Sequence, residues 1–245
     1  MEARRPTAAV TGAGSGIGAA TAQVLARHGW RVVCLDRDGA AAEAVARHAG
    51  DGHLARAVDV TDEAAVEAAF AELGSVGAIG ALATCAGVLD ITSFMELTPQ
   101  IFRRLYDVNV IGTFLAIREA AKYMLEGARI CTVASVAGLR GGGVGGTAAY
   151  SASKGAVLAL SKNAARTLAE KGIAVNCVAP GPIETPMLES VWRFPGVQQR
   201  VESLIPQGRA GRAEEAAEAI AWLLSPAASY ITGATLTVDG GLVMP

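Results

Sequence analysis

The chain has 245 residues, 51% of them hydrophobic and 5% aromatic, and its 21 Lys plus Arg nearly balance its 23 Asp plus Glu. Because no run of like charges interrupts the chain, we expect neither a nucleic-acid partner nor a membrane-surface role. The aliphatic content is sufficient for a sizeable core, so the composition is that of a globular protein.

Cysteines and histidines show neither a disulfide framework nor a metal-ligand pattern. No Cys-x-x-Cys pair occurs, and no histidine stands at ligand spacing from another histidine or cysteine. The uncharged segment 6–26 is long enough to cross a bilayer, but four glycines and interleaved Thr and Gln interrupt it. We predict a soluble, cytoplasmic protein without a metal. Its thiols are expected to be reduced and buried, at Cys34, Cys85, Cys131 and Cys177.

Short apolar runs alternate with segments of helical period along the chain, which is typical of a parallel sheet with crossover helices. The predicted strands are 7–11, 31–36, 54–58, 78–85, 129–134, 174–179 and 235–238. The predicted helices are 17–28, 39–48, 63–73, 99–125, 149–171 and 213–224. We therefore predict an α/β protein with a Rossmann-type, doubly wound sheet of seven mostly parallel strands and helices on both faces.

Two stretches lack this periodicity, the glycine-rich run 141–146 and the segment 180–211. A long irregular segment in a compact domain is usually a lid or a binding loop, so we expect a substrate-covering loop at about 182–211. No new strand–helix series begins after position 181. This favours one dinucleotide-binding and catalytic domain over residues 1–245.

A glycine-rich turn at positions 11–18 follows the first predicted strand and leads directly into the first predicted helix. Glycines allow a sharp turn and close approach to a pyrophosphate, whose charge is stabilised by the amides of a helix N-terminus. An ordinary tight βα turn is the alternative. The strand–turn–helix context favours a dinucleotide site with contacts from Gly12, Ser15, Gly16, Ile17 and Gly18.

Asp36 ends the second predicted strand, where a carboxylate can accept both hydroxyls of the adenosine ribose. A 2′-phosphate at that position would be repelled, so Asp36 favours NAD(H) over NADP(H). The adjacent Arg37 is the nearby cation that would favour a phosphate. A helix-capping role is the alternative for Asp36.

Tyr150 and Lys154 stand four residues apart at the start of a predicted helix, and therefore on one face of it. A tyrosine ionises near pH ~10, and lowering that pKa by about three units requires on the order of 4 kcal/mol of preferential phenolate stabilisation. The Lys154 ammonium and the positive end of the helix dipole both act in that direction. Taken alone, the pair also fits an ordinary helix face.

The glycine-rich turn, the Tyr150–Lys154 pair and four further motifs together resemble the classical short-chain dehydrogenase/reductase family. The further motifs are Cys85-Ala86-Gly87, Asn109 in Asp-Val-Asn-Val-Ile-Gly-Thr-Phe, Ser135 before Val-Ala-Gly, and Pro180-Gly181. They occur in the family's order, and the resemblance extends from Thr7 to the terminal Val-Asp-Gly-Gly. It implies an oxidoreductase that transfers a hydride between NAD(H) and a carbonyl or alcohol carbon.

The resemblance also implies catalytic roles. Ser135 would bind the substrate oxygen, Tyr150 would transfer its proton, and Lys154 would lower the tyrosine pKa and hold the nicotinamide ribose. Asn109 would anchor a water linked to Lys154, although a buried, hydrogen-bonded asparagine is its alternative. The chemistry is consistent, because hydride addition creates an alkoxide that hydroxyl donors stabilise.

Further cofactor contacts are implied after the later strands. Asp59 and Val60 correspond to the pair that contacts adenine, with a helix cap as the alternative for Asp59. Ile183 and Thr185 correspond to the residues that hold the nicotinamide carboxamide. The remaining positions are Cys85, Ala86, Gly87, Pro180 and Gly181.

Two features depart from the family pattern. Cys85 stands where the family most often has asparagine, so a thiol replaces a polar brace beneath the cofactor and local packing is in doubt. The separation of Ser135 and Tyr150 slightly exceeds the usual spacing, because the run 141–146 lies between them. We expect a flexible rim and an altered substrate entrance there.

The segment 187–204 carries the candidate substrate lining. Met187 and Trp192, with Ser135 and Ala137, are the predicted substrate contacts, and they favour a nonpolar or aromatic ketone. The apolar side chains of this segment could equally pack the lid onto the domain. Those side chains also include Leu188, Val191 and Phe194, while Arg140 and Arg193 leave an anionic substrate open.

Three functions compete at this point. The first is a dehydrogenase of small secondary alcohols or ketones, the second a reductase of 3-oxoacyl thioesters of acyl-carrier protein or coenzyme A. The third is a nucleotide sensor without catalysis, which would need the glycine-rich turn but not Asn109, Ser135, Tyr150 and Lys154. Apolar residues on several faces of the helices 99–125 and 149–171, together with the resemblance, predict a homotetramer.

Overall fold

The computed structural model describes residues 6–142 and 148–244. Most of the predicted flexible run 141–146 therefore lies outside the described residues. In the described part of the chain, no helix has both the length and the apolar character needed to cross a lipid bilayer.

The strands are β1 Thr7–Thr11, β2 Arg31–Asp36, β3 Leu54–Ala57, β4 Ile79–Thr84, β5 Met124–Val133, β6 Ala174–Pro180, β7 Ile183–Glu184, β8 Gly211–Arg212 and β9 Thr235–Val238. Within the described residues, seven of them form one sheet in the order β3-β2-β1-β4-β5-β6-β9, and every neighbouring pair is parallel. The predicted doubly wound sheet is confirmed. The strand order reverses between β1 and β4, and such a switch point creates a ligand-binding crevice at the carboxyl ends of the strands.

The helices are α1 Gly16–Arg27, α2 Gly39–Ala49, α3 Glu63–Val76, α4 Pro99–Tyr106, α5 Gly112–Ala120, α6 Val136–Arg140, α7 Ala148–Leu168, α8 Pro186–Trp192, α9 Val197–Glu202 and α10 Ala213–Leu223. Helices α1, α2 and α10 bury their apolar faces on one side of the sheet. Helices α3, α5 and α7 do so on the other side. The strands serve both layers because side chains alternate: Ala8 and Val10 of β1 face the first layer and Ala9 faces the second.

The predicted continuous helix 99–125 is wrong in two respects. Between α4 and α5 the backbone forms a π-helical turn at Asp107–Ile111, and the helical path ends at Ala120. The chain then enters β5 five residues before the predicted start, because Met124 pairs with Ile79 of β4 and is buried. Pairing with an existing strand decides this boundary, and local helical periodicity does not report it.

The predicted irregular segment 180–211 is also partly wrong, because it contains β7, α8, α9 and β8. Helix α6, directly after β5, was likewise not predicted. These helices span only five to seven residues each. Elements of one or two turns are too short to show a hydrophobic period, and they form only because the rest of the domain holds them.

Candidate active site

A cavity of about 920 Å³ opens at the carboxyl ends of β1, β4, β5 and β6. Every residue that the sequence predicted to contact a cofactor lines it. These residues are Gly12, Ser15, Gly16, Ile17, Gly18, Asp36, Arg37, Asp59, Val60, Cys85, Ala86, Gly87, Tyr150, Lys154, Pro180, Gly181, Ile183 and Thr185. Positions dispersed over most of the chain are thus brought to one crevice by the sheet order.

The glycine-rich turn connects β1 to α1 in a conformation that only glycines permit. Gly16 has φ +53, and a Cβ on Gly18 would lie 2.0 Å from the carbonyl oxygen of Gly12. Ser15 precedes α1 and makes no side-chain capping bond to the described residues. The first-turn amides of α1 therefore remain free of a side-chain cap at the cavity wall, which suits a phosphate.

Asp36 is held at the cavity wall by two backbone amides. Gly14 N donates to one carboxylate oxygen at 2.8 Å, and Asp38 N donates to the other at 3.0 Å. The helix cap of α2 is Asp38, whose carboxylate accepts from Ala41 N at 3.0 Å. The capping alternative for Asp36 is therefore wrong, and its carboxylate stays at the cavity.

The helix-capping alternative for Asp59 is wrong for the same reason. The cap of α3 is Asp62, which accepts from Ala65 N at 3.1 Å. Asp59 instead accepts from the amide and the hydroxyl of Thr61, at 2.9 and 2.8 Å. These hydrogen bonds lower the pKa of Asp59, so an ionised carboxylate lines the cavity.

Ser135, Tyr150 and Lys154 meet at the end of β5. Ser135 Oγ accepts from Ala137 N at 3.1 Å, and its side chain is hydrogen-bonded to that of Tyr150. Lys154 Nζ donates to the carbonyl oxygen of Val133 at 2.9 Å and lies 5.9 Å from the centroid of the Tyr150 ring. The helical spacing of Tyr150 and Lys154 thus places both groups beside one serine hydroxyl.

Burial shifts the pKa values of Tyr150 and Lys154. It raises the pKa of Tyr150, and the hydrogen bond with Ser135 offsets this rise only in part, contrary to the predicted lowering. Burial also lowers the pKa of Lys154 to about 8. A lysine with this pKa can exchange a proton near neutral pH.

Asn109 lies in the π-helical turn and is fully buried, outside the cavity lining. Its Oδ1 accepts from Val88 N at 2.8 Å, and its Nδ2 donates to Val88 O at 3.0 Å and to Ser153 Oγ at 2.9 Å. Ser153 Oγ donates in turn to Tyr150 O at 2.7 Å. Asn109 is thus a buried, hydrogen-bonded asparagine that links the loop after β4 to the helix of Tyr150. Sequence reasoning missed Ser153, although its place inside the Tyr-x-x-x-Lys interval was a usable signal.

Cys85 contributes a neutral group to the cavity wall. Burial raises its pKa to about 12, although a hydrogen bond with Thr21 and the nearby Lys154 act in the opposite direction. The thiol therefore packs as a small protonated side chain at neutral pH. Within residues 6–142 and 148–244, no group of three or more His, Cys, Asp or Glu side chains is arranged to hold a metal ion.

Some of the predicted substrate residues line the cavity and others do not. Ser135, Ala137 and Met187 line the cavity, as do Leu188 and Val191 of the same helix α8. Trp192 does not line it, because the turn of α8 that directs Val191 inward directs the next residue elsewhere. Phe194 also lies outside, stacked under Arg193 at 5.4 Å.

Comparison with known proteins agrees with this architecture. Residues 12–243 match the protein family described as Enoyl-(Acyl carrier protein) reductase. The galactitol 2-dehydrogenase (L-tagatose-forming) of Cereibacter sphaeroides is 39% identical over 96% of this chain and 93% of its own. The 3-oxoacyl-(acyl-carrier-protein) reductase of Escherichia coli (strain K12) is 35% identical over 97% of both chains.

A solved structure supports the same relationship. The short-chain dehydrogenase/reductase of Brucella melitensis, described as a glucose/ribitol dehydrogenase, superposes with a TM-score of 0.92 at 33% identity. The alignment covers 98% of this chain and 97% of that one. Sequence identity over nearly the full length, the shared fold and the clustered Ser135, Tyr150 and Lys154 all agree. The chain therefore belongs to the short-chain dehydrogenase/reductase family and is an oxidoreductase that acts on alcohol or ketone groups.

Proposed function

We propose that this protein interconverts a secondary alcohol and a ketone with NAD(H), and that Tyr150 is its general acid and base. The observation that carries the proposal is the meeting of Ser135, Tyr150 and Lys154 in the cavity that the dinucleotide positions also line. A nucleotide sensor would have no use for a buried Tyr–Lys pair beside a serine hydroxyl.

The residues present fit a dinucleotide. The first-turn amides of α1 would hold the diphosphate, Asp36 the adenosine ribose, and Ile183 with Thr185 the nicotinamide carboxamide. When bound, the nicotinamide supplies or accepts the hydride. Lys154 would bind the nicotinamide ribose through its ammonium, which donates to the Val133 carbonyl.

The proton moves through the protein's own side chains. In alcohol oxidation Ser135 Oγ holds the substrate oxygen while Tyr150 Oη accepts the hydroxyl proton, and in ketone reduction Tyr150 returns it. Lys154 stabilises the phenolate, and its pKa of about 8 allows it to pass the proton onward. Asn109 would act indirectly, because its side chain is engaged by Val88 and Ser153 and so positions the helix that carries Tyr150.

The preference for NAD(H) rests on Asp36. Two amides fix its carboxylate at the cavity wall, and an added Cβ at Gly14 would come within 2.9 Å of it. This charge would repel a 2′-phosphate in that position, and Arg37 is the adjacent cation that would offset the repulsion. We expect kcat/KM with NADH to exceed that with NADPH by at least about tenfold, and an inverted ratio would reject this part of the proposal.

We also propose a cytoplasmic homotetramer. Free cysteines suit a reducing compartment, and all four described cysteines are free. Exposed apolar side chains along α4 and α5 and around α10 and β9 support the assembly.

Substituting Tyr150→Phe tests the mechanism. We expect turnover of secondary alcohols to fall by at least about a thousandfold, because the proton has no other carrier at that place. NADH binding, measured by fluorescence titration, should change little. The matched control is Tyr230→Phe, since Tyr230 is fully exposed and outside the cavity. Retained activity in Tyr150→Phe would refute the role of Tyr150.

Preferred turnover of acetoacetyl coenzyme A would favour the thioester reductase instead.

A further inference from the structure

We propose that the substrate of this dehydrogenase is a secondary alcohol or ketone whose remaining substituents are apolar, rather than a polyol or a ketose. The inference rests on the proposed function and concerns the part of the cavity beyond Ser135 and Tyr150. It differs from what the names of the relatives suggest, since two of them are a galactitol 2-dehydrogenase and a sorbitol dehydrogenase.

Aliphatic side chains form the wall of that part of the cavity. They come from three separate places in the fold: Leu89 in the loop after β4, Met187, Leu188 and Val191 in α8, and Leu204 with Leu242 near the end of the sheet. Val191 is 5% exposed and anchors α8, whereas Met187 and Leu204 are 38% and 49% exposed. The wall thus presents apolar surface that remains open to water.

Polar side chains that line the cavity outside the cofactor positions and the catalytic group lie at its rim. They are Gln100, Arg103, Arg104, Asp107 and Arg140, and Thr61 beside the adenine pair. All six are exposed to solvent. Arg104 is further engaged in an ion pair with Asp90 at 2.8 Å. Because all six are exposed, these groups already interact with water.

This distribution discriminates between substrates. A polyol hydroxyl placed against this wall gives up water and meets no polar side chain among the wall residues described above, which opposes binding. An alkyl group in the same place covers Met187, Leu188 and Leu204 and removes apolar surface from water on both sides. The serine and tyrosine hydroxyls need only the one oxygen at the reacting carbon.

The cationic rim does not favour an anionic substrate at the reacting end. Arg140 is exposed, and Arg193 lies outside the cavity over the ring of Phe194. A carboxylate placed against the aliphatic wall would be desolvated without a counter-charge. A ketone with alkyl substituents avoids this cost.

The test compares two six-carbon alcohols that react at the same carbon, 2-hexanol and galactitol, with NAD as the oxidant. We expect kcat/KM for 2-hexanol to exceed that for galactitol by at least about a hundredfold. Along the series 2-butanol, 2-pentanol and 2-hexanol, kcat/KM should rise about fourfold for each methylene added against the wall. A preference for galactitol, or a flat series, would overturn the proposal.

Two variants test whether the aliphatic wall causes the preference for alkyl alcohols. Leu188→Asn is nearly isosteric and should lower kcat/KM for 2-hexanol by about tenfold, with a smaller effect on 2-butanol. Leu125→Asn makes the same chemical change at an exposed position outside the cavity and should leave both values unchanged. Circular dichroism and NADH titration of each variant establish that it is folded and binds cofactor. An unchanged 2-hexanol to 2-butanol ratio in folded Leu188→Asn would contradict the assignment.

The outcomes separate this inference from the function on which it depends. If NADH binds and galactitol or acetoacetyl coenzyme A is turned over while the alkyl alcohols are not, the substrate class is wrong and the hydride chemistry stands. If NADH binds and none of these compounds reacts, the substrate class is also rejected. If neither NADH nor NADPH binds, the proposed function itself fails.

Discussion

Lys154 lowers the stability of the folded protein although the proposed chemistry requires it. Its side chain is 5% exposed, and burial lowers its pKa to about 8. In the unfolded chain the pKa is about 10.4. Between these two values the unfolded chain holds a proton that the folded protein has released, so the free energy of unfolding rises with pH in this window. Below pH 8 both states are protonated, and the cost of burying the ammonium is present in full.

We therefore expect Lys154→Met to stabilise the protein at pH 7 and to abolish turnover. The free energy of unfolding should rise by on the order of 2 kcal/mol. This figure allows for the Val133 carbonyl, which loses its hydrogen-bond donor in the variant. The gain should shrink as the pH rises from about 8 to about 10. Urea denaturation at pH 7 and pH 9.5 measures it, with Lys162→Met on the exposed face of α7 as the control. A stability difference independent of pH would contradict the proposed burial cost.

Ser135 acts on the protonation of Tyr150. Its hydrogen bond lowers the tyrosine pKa, which burial raises. In Ser135→Ala the pKa of Tyr150 should therefore rise, and the ascending limb of kcat/KM for alcohol oxidation should move to higher pH. We also expect kcat to fall about a hundredfold or more, because a donor to the reacting oxygen is lost. A pH–rate profile of Ser135→Ala against the exposed control Ser190→Ala tests this. An unshifted limb would show that Ser135 serves only to bind substrate.

At the scale of elements, the π-helical turn between α4 and α5 organises the site from behind. It places Asn109 inward, and the chain of hydrogen bonds from Val88 through Asn109 and Ser153 to the carbonyl of Tyr150 follows from that placement. Such turns within α-helices are frequent at functional sites. The loop after β4, which lines the cavity, is thereby tied to the helix that carries Tyr150.

Two serines in α7 provide a matched test of this connection. Ser153→Ala should lower the free energy of unfolding by about 1–3 kcal/mol, because Asn109 Nδ2 loses a buried partner. Ser151 is equally buried, but its Oγ has no hydrogen-bond partner among the described residues, so Ser151→Ala should be close to neutral. Urea denaturation of the two variants measures the difference. Equal losses would mean that the Asn109–Ser153 bond contributes nothing.

At the scale of the whole molecule, apolar side chains are exposed on two separate faces. One face follows α4 and α5, with Phe102, Ile111 and Phe114 between 36% and 45% exposed. The other lies around α10 and the edge strand β9, with the exposed side chains Trp222 and Leu236. Two independent self-complementary faces are what a tetramer of dihedral symmetry requires.

We accordingly expect light scattering to give about four times the chain mass of 24.9 kDa. Phe114→Glu should reduce the measured mass to that of a dimer or monomer, because a carboxylate cannot be buried against a copy of itself. Leu125→Glu, at an exposed position outside both faces, serves as the control. A monomer mass for the unmodified protein at assay concentration would exclude the tetramer.

The sequence predicted the strands and the dinucleotide turn well because each is signalled locally. The four central residues of the strand Arg31–Asp36 are all apolar and buried, as expected for a parallel strand that is covered on both faces. The turn at Gly16 needs a residue that tolerates positive φ, and the spacing of glycines reports that need directly. The end of the helix after α5 was missed because Met124 leaves the helical path only to pair with β4.

The sequence by itself therefore determined the strands of the sheet and the glycine-rich turn, because short-range patterns encode strand burial and turn geometry. It predicted Tyr150 and Lys154 as reacting side chains through the resemblance to a known family, since their helical spacing alone also fits an ordinary helix face. Tertiary structure alone decided which side chains face the cavity, and it excluded Trp192 while admitting Leu204 and Leu242. It also decided the protonation of Tyr150 and Lys154, since burial depends on elements distant in the chain. Desolvation has no local signature, so no pattern of residue types could have reported it.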